Sequence, residues 1–467
     1  MIASDDAEPA TDTLTRLAAR VSAAAATQSL VDVGGTVVQV TPSHCCITGL
    51  SAFVKLGDRV SLATGGRPQL GEVIRLDETR VTVKTFQEPI AAGLGARAWR
   101  TGPGILKPDA SWKGYIFDAL GAPVSDPAAI LYGDSPTHAD NAPPAALSRR
   151  RVKQPFKTGV RVIDLFTPLC FGQRIGIFSG SGVGKSTLLA MLSRASGFDT
   201  VVIALVGERG REVREFLEDA LGDNRQRVIA VVSTGDESPM MRRLAPRTAT
   251  SIAEYFRDRG ENVLLIVDSI TRYAHAARDV TLAAGEPPVA RGYTPSVFST
   301  LPNLLERAGP GAEGTGSITG IYSVLVDGDD HNDPIADAIR GTLDGHIVLD
   351  RAIADQARYP AVNVLSSVSR LADHAWTGEQ RTLVSRLRAM IARFEDTRDL
   401  RLMGGYRGGS DPELDKAIEI VPKLFAAMQQ SPRDVASTDA FQEVARMLTG
   451  QTTEKPAPDK AAPPKSA

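Results

Sequence analysis

QRIGIFSGSGVGKST, from Gln173 to Thr187, is the stretch on which the fold turns. Its first half is an apolar run of strand character, its middle carries glycines at 180, 182 and 184, and the helical run TLLAMLSRA follows. Strand, glycine-rich loop and helix in that order are the context of a P-loop. The glycines let consecutive backbone amides turn inward around phosphate oxygens without a Cβ in the way, and the helix N-terminus adds partial positive charge. The candidate nucleotide-binding residues are therefore Ser179, Gly180, Ser181, Gly182, Val183, Gly184, Lys185, Ser186 and Thr187. Lys185 is expected to reach the β and γ phosphates of ATP, and the Ser186 hydroxyl to ligate Mg²⁺. Ser179 stands where the strict pattern has glycine, so the first position carries no weight. A glycine-rich turn that only caps a helix would not explain Lys185 and Ser186 in register.

Outward from this motif, apolar runs alternate with helical stretches: TVVIALVG, RVIAVVST, NVLLIVDS, SITGIYSVLV, HIVLDR and AVNVLSSVS. Strands apolar on both faces and separated by helices predict an α/β fold with a mostly parallel sheet covered on both sides. Before it, GGTVVQV, HCCITGL, DRVSLAT, GEVIRL and TRVTVKTF are short β-rich runs about eight to twelve residues apart, the spacing of a small barrel. After Thr377 charged amphipathic helices such as LVSRLRAMIARFED take over. The last 17 residues hold four prolines and too little apolar surface to fold. The expected division is an N-terminal segment 1–27, a β-barrel 28–97, the nucleotide core 98–376, a helical domain 377–450 and a flexible tail 451–467.

Composition narrows the function. Lys plus Arg total 53 against 55 Asp plus Glu, and the net charge of −2 argues against a chain whose work is coating nucleic acid or an anionic membrane. Three cysteines, Cys45, Cys46 and Cys170, cannot build a disulfide framework and read as reduced packing residues. No run approaches 18 apolar residues, and Met1 to Ala10 carries acids where a secretory leader would be basic and then apolar, so a cytoplasmic protein is expected.

Two acids complete the candidate site. Asp268 ends the run NVLLIVD, at the strand edge where ligands bind in open α/β sheets, and could hold Mg²⁺ through water or simply cap the next helix. Glu208 in VGERGREVREF ends another strand and could polarise a water in line with the γ-phosphate. The residues after it also read as a charged helix face, with Arg211/Glu215 and Arg214/Glu218 at i, i+4. Near the N-terminus Leu14, Leu17, Ala18 and Val21 share one helix face, which would pack on the chain's own barrel or dock on a partner.

Together these motifs, with LPNLLERAGPG, GSITGIYSVLVDGDDHNDPIADAIRGTLDGHIVLDR, YPAVNVLSSVSR and GGYRGGSDPELDKAI, resemble the ATPases of type III protein export, the flagellar branch above all, which are relatives of the catalytic subunit of rotary ATP synthases. The resemblance runs from about Pro155 to Ile418. It implies a RecA-like core behind a β-barrel and before a helical domain, with Lys185 as P-loop lysine, Ser186 as magnesium hydroxyl, Glu208 as catalytic glutamate beside Arg209, and Asp268 as the Walker B aspartate. It further implies that Tyr359 stacks on adenine and that Arg370 is an arginine finger for a neighbouring subunit, where residues alone leave a core tyrosine and a salt-bridged arginine equally open. The implied partners are further copies in a homohexamer, a stator-like regulatory protein at the N-terminal helix, a central stalk-like protein, export-gate membrane proteins, and export chaperones and substrates, with peripheral attachment to the inner-membrane export apparatus. A rotary synthase subunit and a ring-shaped nucleic-acid translocase are the competing readings. The wording around GDDHNDPIAD favours export over the first, and near-neutral charge with aromatics at 5% weakens the second.

Overall fold

The computed structural model describes residues 31–124, 130–326 and 333–449, with the isolated positions Thr15, Ala18, Val21 and Ser22. Those four have helical backbone, and Val21 is exposed; Leu14, Leu17 and the tail 451–467 lie outside the described residues. The chain divides into two compact units, one made of residues 1–85 and 89–103 and the other of 86–88 and 104–467.

In the first unit six antiparallel strands close a barrel: β1 (Gly34–Val40), β2 (Cys45–Thr48), β3 (Arg59–Leu62), β4 (Gln69–Leu76), β5 (Arg80–Thr85) and β6 (Arg97–Gly102), in the order β1-β2-β5-β4-β3-β6. Alternate side chains point inward, so Val37, Ile47, Val60, Leu62, Val81 and Val83 fill the interior. The expected end at residue 97 cuts through the closing strand. RAWRTG was missed because only Ala98 and Gly102 of it are buried, which leaves no apolar alternation to read.

In the second unit a nine-stranded sheet contains β7 (Ile116–Asp118), β8 (Arg174–Ser179), β9 (Thr200–Val206), β10 (Val228–Ser233), β11 (Asn262–Asp268), β12 (Ser317–Leu325), β13 (Gly345–Leu349) and β14 (Val368–Ser369). They lie in the order β14-β13-β8-β12-β11-β9-β10-β7, and the short strand Gly309–Pro310 pairs with β12. From β13 to β7 every neighbouring pair is parallel. β9 and β11 are buried almost end to end, as strands covered on both faces must be.

The run AVNVLSSVS is not the strand expected of it. Its last two residues alone form β14, antiparallel to β13. The Asn363 side chain accepts from the amides of Leu365 and Ser366, and the Ser367 hydroxyl donates to the Asn363 carbonyl, so local side-chain bonds replace a ladder.

The C-terminal helices α6 (Gly378–Asp396) and α8 (Pro412–Met428) present Val384, Leu387, Ile391, Leu414, Val421 and Leu424 to the same apolar core that underlies the sheet. A capping box at Thr377 and Gln380 starts α6. No separate core begins at 377: Trp376 donates to the Leu165 carbonyl at 3.1 Å and Arg388 to the Phe166 carbonyl at 2.8 Å.

Candidate active site

Four neighbouring strands bring polar side chains to one edge of the sheet. β8 runs into the loop 180–184 and then into α1 (Lys185–Ser193); β12 contributes Ser323, β11 ends at Asp268, and Glu208 follows β9. Because β8, β12, β11 and β9 are parallel and adjacent, their carboxyl ends are stacked together, the place where open α/β sheets bind ligands.

The loop meets its conformational needs at Gly182 and Gly184, with φ of 78° and 95°. A Cβ on Gly184 would sit 3.5 Å from the Tyr359 ring, so the loop passes directly beneath that aromatic. Val183 is buried and anchors the turn, while Ser186 and Thr187 are exposed at the helix start. Arg351 donates to the Ser181 carbonyl at 3.0 Å.

Lys185 lies between the two acids. Its Nζ is ion-paired to Asp268 and lies 3.3 Å from Glu208 Oε1, with the three side chains 10%, 2% and 14% exposed in the order Lys185, Asp268, Glu208. Burial works to lower the Lys185 pKa, yet the attraction of Asp268 and Glu208 leaves it above the ordinary value. Burial pushes the Glu208 carboxyl up; Lys185 opposes this, Asp268 adds to it, and Arg272 opposes it again. Ser323 donates to Asp268 Oδ1 at 2.5 Å, which fixes the aspartate against β12. Glu208 is held through its backbone, whose carbonyl accepts from Gly235 at 3.0 Å. Gly207 precedes it with φ of 71°, and a Cβ there would press to 3.1 Å from the Arg272 side chain, so glycine is required on both counts.

The sequence-derived residues thus separate into two groups. Lys185, Glu208 and Asp268 converge, with the loop and Ser186 beside them. Arg209 does not join them: its side chain is 86% exposed and pairs with Glu212 at 3.5 Å on α2 (Gly210–Leu221). Arg370 follows β14, is exposed, and donates its backbone amide to the Asp344 carbonyl at 3.0 Å. Tyr359 is 46% exposed and borders a cavity of about 330 Å³ between residues 350–366 and α8.

Ser323 and Arg272 were missed, as was the tie from Tyr359 to the C-terminal helices. The signal for Ser323 was a hydroxyl inside the otherwise apolar SITGIYSVL; the other two arise from tertiary placement. Arg272 belongs to α4 (Ile270–Ala283), whose N-cap Ser269 accepts from the Arg272 amide. The Tyr359 carbonyl accepts from the Gln430 amide at 2.9 Å, and the buried Gln430 side chain bonds Arg161 N and the Gly159 carbonyl.

Residues 159–369 match the model of the ATP synthase alpha/beta family, nucleotide-binding domain, and residues 376–448 that of the T3SS EscN ATPase C-terminal domain. The chain is 56% identical over 415 residues to a flagellum-specific ATP synthase of Rhizobium meliloti, covering 89% of each, and 44% identical over 392 residues to that of Caulobacter vibrioides, covering 82% of this chain and 88% of the other. It is similar in structure to the assembled ATPase EscN from the enteropathogenic E. coli type III secretion system, with TM-score 0.82 at 39% identity over 89% of this chain and 100% of the other. EscN in complex with its central stalk EscO gives TM-score 0.80 over the same shares. Among the described residues no helix is long and apolar enough to cross a membrane.

Proposed function

The chain belongs to the flagellum-specific ATP synthase family, and from that membership we propose that it spends ATP on flagellar protein export through the cluster Lys185, Glu208 and Asp268. That convergence behind a P-loop is the observation that carries the reading. Lys185 neutralises the β and γ phosphates, and the loop amides 180–184 hold their oxygens. Glu208 accepts a proton from the attacking water while orienting it toward the γ-phosphorus. Tyr359 stacks on the base above Gly184.

Magnesium suits the residues present. The Ser186 hydroxyl is exposed at the start of α1 and the Asp268 carboxylate stands at the adjacent strand end, the few oxygen donors that a Mg²⁺ site completed by phosphate oxygens needs from a protein. The exposed Ser186 hydroxyl and, through water, Asp268 would hold the ion, which supplies charge neutralisation between the phosphates. The Ser323 bond keeps Asp268 oriented for that task.

Arg370, exposed after β14, serves as a finger for the nucleotide of a neighbouring copy in a homohexameric ring, whereas Arg209 adjoins Glu208 in sequence and pairs with Glu212 on α2. The assembled state of EscN, and its complex with a central stalk, support a ring with a stalk-like partner for this chain. The N-terminal segment docks a stator-like regulator that brings the ring to the export gate, where chaperones release their cargo; the protein is cytoplasmic and peripheral to the membrane. A rotary synthase reading is disfavoured because the C-terminal region matches the export ATPases.

Deleting the gene and scoring motility and export of filament proteins, beside complementation with Glu208→Gln, tests this reading. Motility lost on deletion and not restored by the variant is expected. Normal motility and filament export without the gene would refute the export role.

A further inference from the structure

Behind the cavity beside Tyr359 stands a buried polar side chain that the nucleotide chemistry leaves unused. Gln430 follows α8 by two residues, is 4% exposed, and joins two other stretches of chain to its own. Its backbone amide donates to the Tyr359 carbonyl at 2.9 Å. Its side-chain Oε1 accepts from the Arg161 amide at 3.0 Å, and Nε2 donates to the Gly159 carbonyl at 2.8 Å. Each stretch supplies the cavity with a wall: Val162 follows Arg161, Gln429 precedes Gln430, and both line the cavity together with Tyr359.

The junction calls for a carboxamide. Arg161 is the first residue of the helix Arg161–Phe166, so its N–H has no carbonyl within that helix, and the N-cap Val160 makes no side-chain bond to it. Gly159 presents the opposite need, a buried carbonyl. One amide side chain meets both, with an acceptor and a donor on the same carbon, which neither a carboxylate nor a hydrocarbon does. Other ties hold the same segment 429–437. The Ser437 amide also donates to the Gly159 carbonyl at 2.9 Å, and Arg194, the C-cap of α1, donates to the Pro432 carbonyl at 2.9 Å. Removing the Gln430 side chain therefore leaves the segment attached and loosens the walls of the base cavity.

We propose that Gln430 is a positioning residue for nucleotide binding: it holds Tyr359, Val162 and Gln429 in one frame, so that the C-terminal region sets the affinity for the base without touching the phosphates. The inference rests on the nucleotide reading above and deepens it. Gln430 acts through Tyr359, to whose carbonyl it is bonded, and not by meeting substrate. The base is unchanged by hydrolysis, so a frame around it serves ground state and transition state alike and its loss belongs in KM, not in kcat.

The test measures kcat and KM for ATP on the full-length protein, with tripolyphosphate, which has the phosphates and no base, as competitive inhibitor. Gln430→Met keeps the length and removes both side-chain bonds. KM for ATP about tenfold higher, kcat within about twofold and an unchanged inhibition constant for tripolyphosphate are expected. Gln430→Glu keeps the acceptor for Arg161 and loses the donor, so its KM should fall between those of wild type and Gln430→Met; it decides the matter if Gln430→Met does not fold. A folded variant with unchanged KM overturns the inference, and so does a loss confined to kcat. A tripolyphosphate constant that rises in step with KM overturns it too, since Gln430 would then support the whole site and not its base end. A wild-type protein that hydrolyses no ATP overturns the nucleotide reading itself.

Discussion

The end of the site proposed to hold the phosphates and the end proposed to hold the base are built in opposite ways. At the phosphate end Asp268 and Ser323 are buried on adjacent strands and bonded to each other, and Lys185, at the start of α1, is buried against Asp268. At the base end Tyr359 is half-exposed, Arg370 reaches solvent, and the cavity wall is shared with α8 of the C-terminal region. Phosphate chemistry needs charges fixed before the substrate arrives, since reorganising them during reaction raises the barrier. The proposed base recognition and the proposed finger can be completed by what docks there.

If that contrast holds, the deepest loss comes from Lys185→Ala, which should bring phosphate release below detection. The variant also leaves Asp268 and Glu208 buried without their cation. Removing one member of a buried pair costs about 3–5 kcal/mol, so a lowered urea midpoint should accompany the lost activity. Unchanged stability would mean that the ion pairs of Lys185 contribute nothing to the rigidity of this end.

Arg370→Ala probes the open end and should cost roughly 10³ to 10⁵ in turnover, the range of arginine fingers. Because the finger would serve a neighbour, mixed rings of Arg370→Ala and Lys185→Ala chains should recover activity through interfaces that combine a sound loop with a sound finger. Stable mixed rings without recovery would place Arg370 on the closed side of the contrast.

Glu208→Gln should lower kcat by about 10² to 10⁴ while equilibrium dialysis still shows ATP bound, since the amide keeps the shape and loses the proton acceptor. The pH profile gives the same residue a second test. Burial raises the Glu208 pKa, so the carboxylate is lost on acidification at a pH above the ordinary glutamate value of about 4.3. Activity should therefore fall about tenfold per pH unit on the acid side from a point above that value, as pH drops through the raised pKa. A limb at or below the ordinary value would remove the desolvated environment from the mechanism.

Legibility followed the same divide. The loop, Lys185, Asp268 and Glu208 could be read because each sits within a few residues of a strand end, where chain spacing alone fixes position. Strand order placed β12 between β8 and β11, and no local pattern states strand order. The Arg358–Phe425 contact joins residues on either side of the expected boundary at 377, which is why reading the segments separately hid it. Arg209 came from resemblance, and the exposed i, i+3 pair with Glu212 is what helix spacing would have given it. The barrel's sixth strand and the non-strand AVNVLSSVS failed for complementary reasons: one lacks apolar alternation and forms ladders anyway, the other has apolar residues whose polar neighbours bond the backbone locally.

The smallest expected effect comes from Ser323→Ala, and it is the sharpest probe of the closed end. Ser323 is fully buried, and its hydroxyl donates to Asp268 Oδ1. Alanine fits the space, so no cavity beyond a single oxygen forms. What is lost is one hydrogen bond to a charged group, worth about 1.5–3 kcal/mol where the partner goes unsatisfied, although Lys185 continues to pair with the same oxygen. If the bond's role is to orient Asp268 toward the metal, the loss should appear mainly as weaker magnesium binding, with a severalfold rise in the Mg²⁺ concentration for half-maximal hydrolysis and little change in urea midpoint. If the bond serves only the fold, the midpoint falls and the magnesium dependence stays where it was. The two readouts move independently, so the result decides whether the polar residue inside an apolar strand belongs to the site or to the sheet.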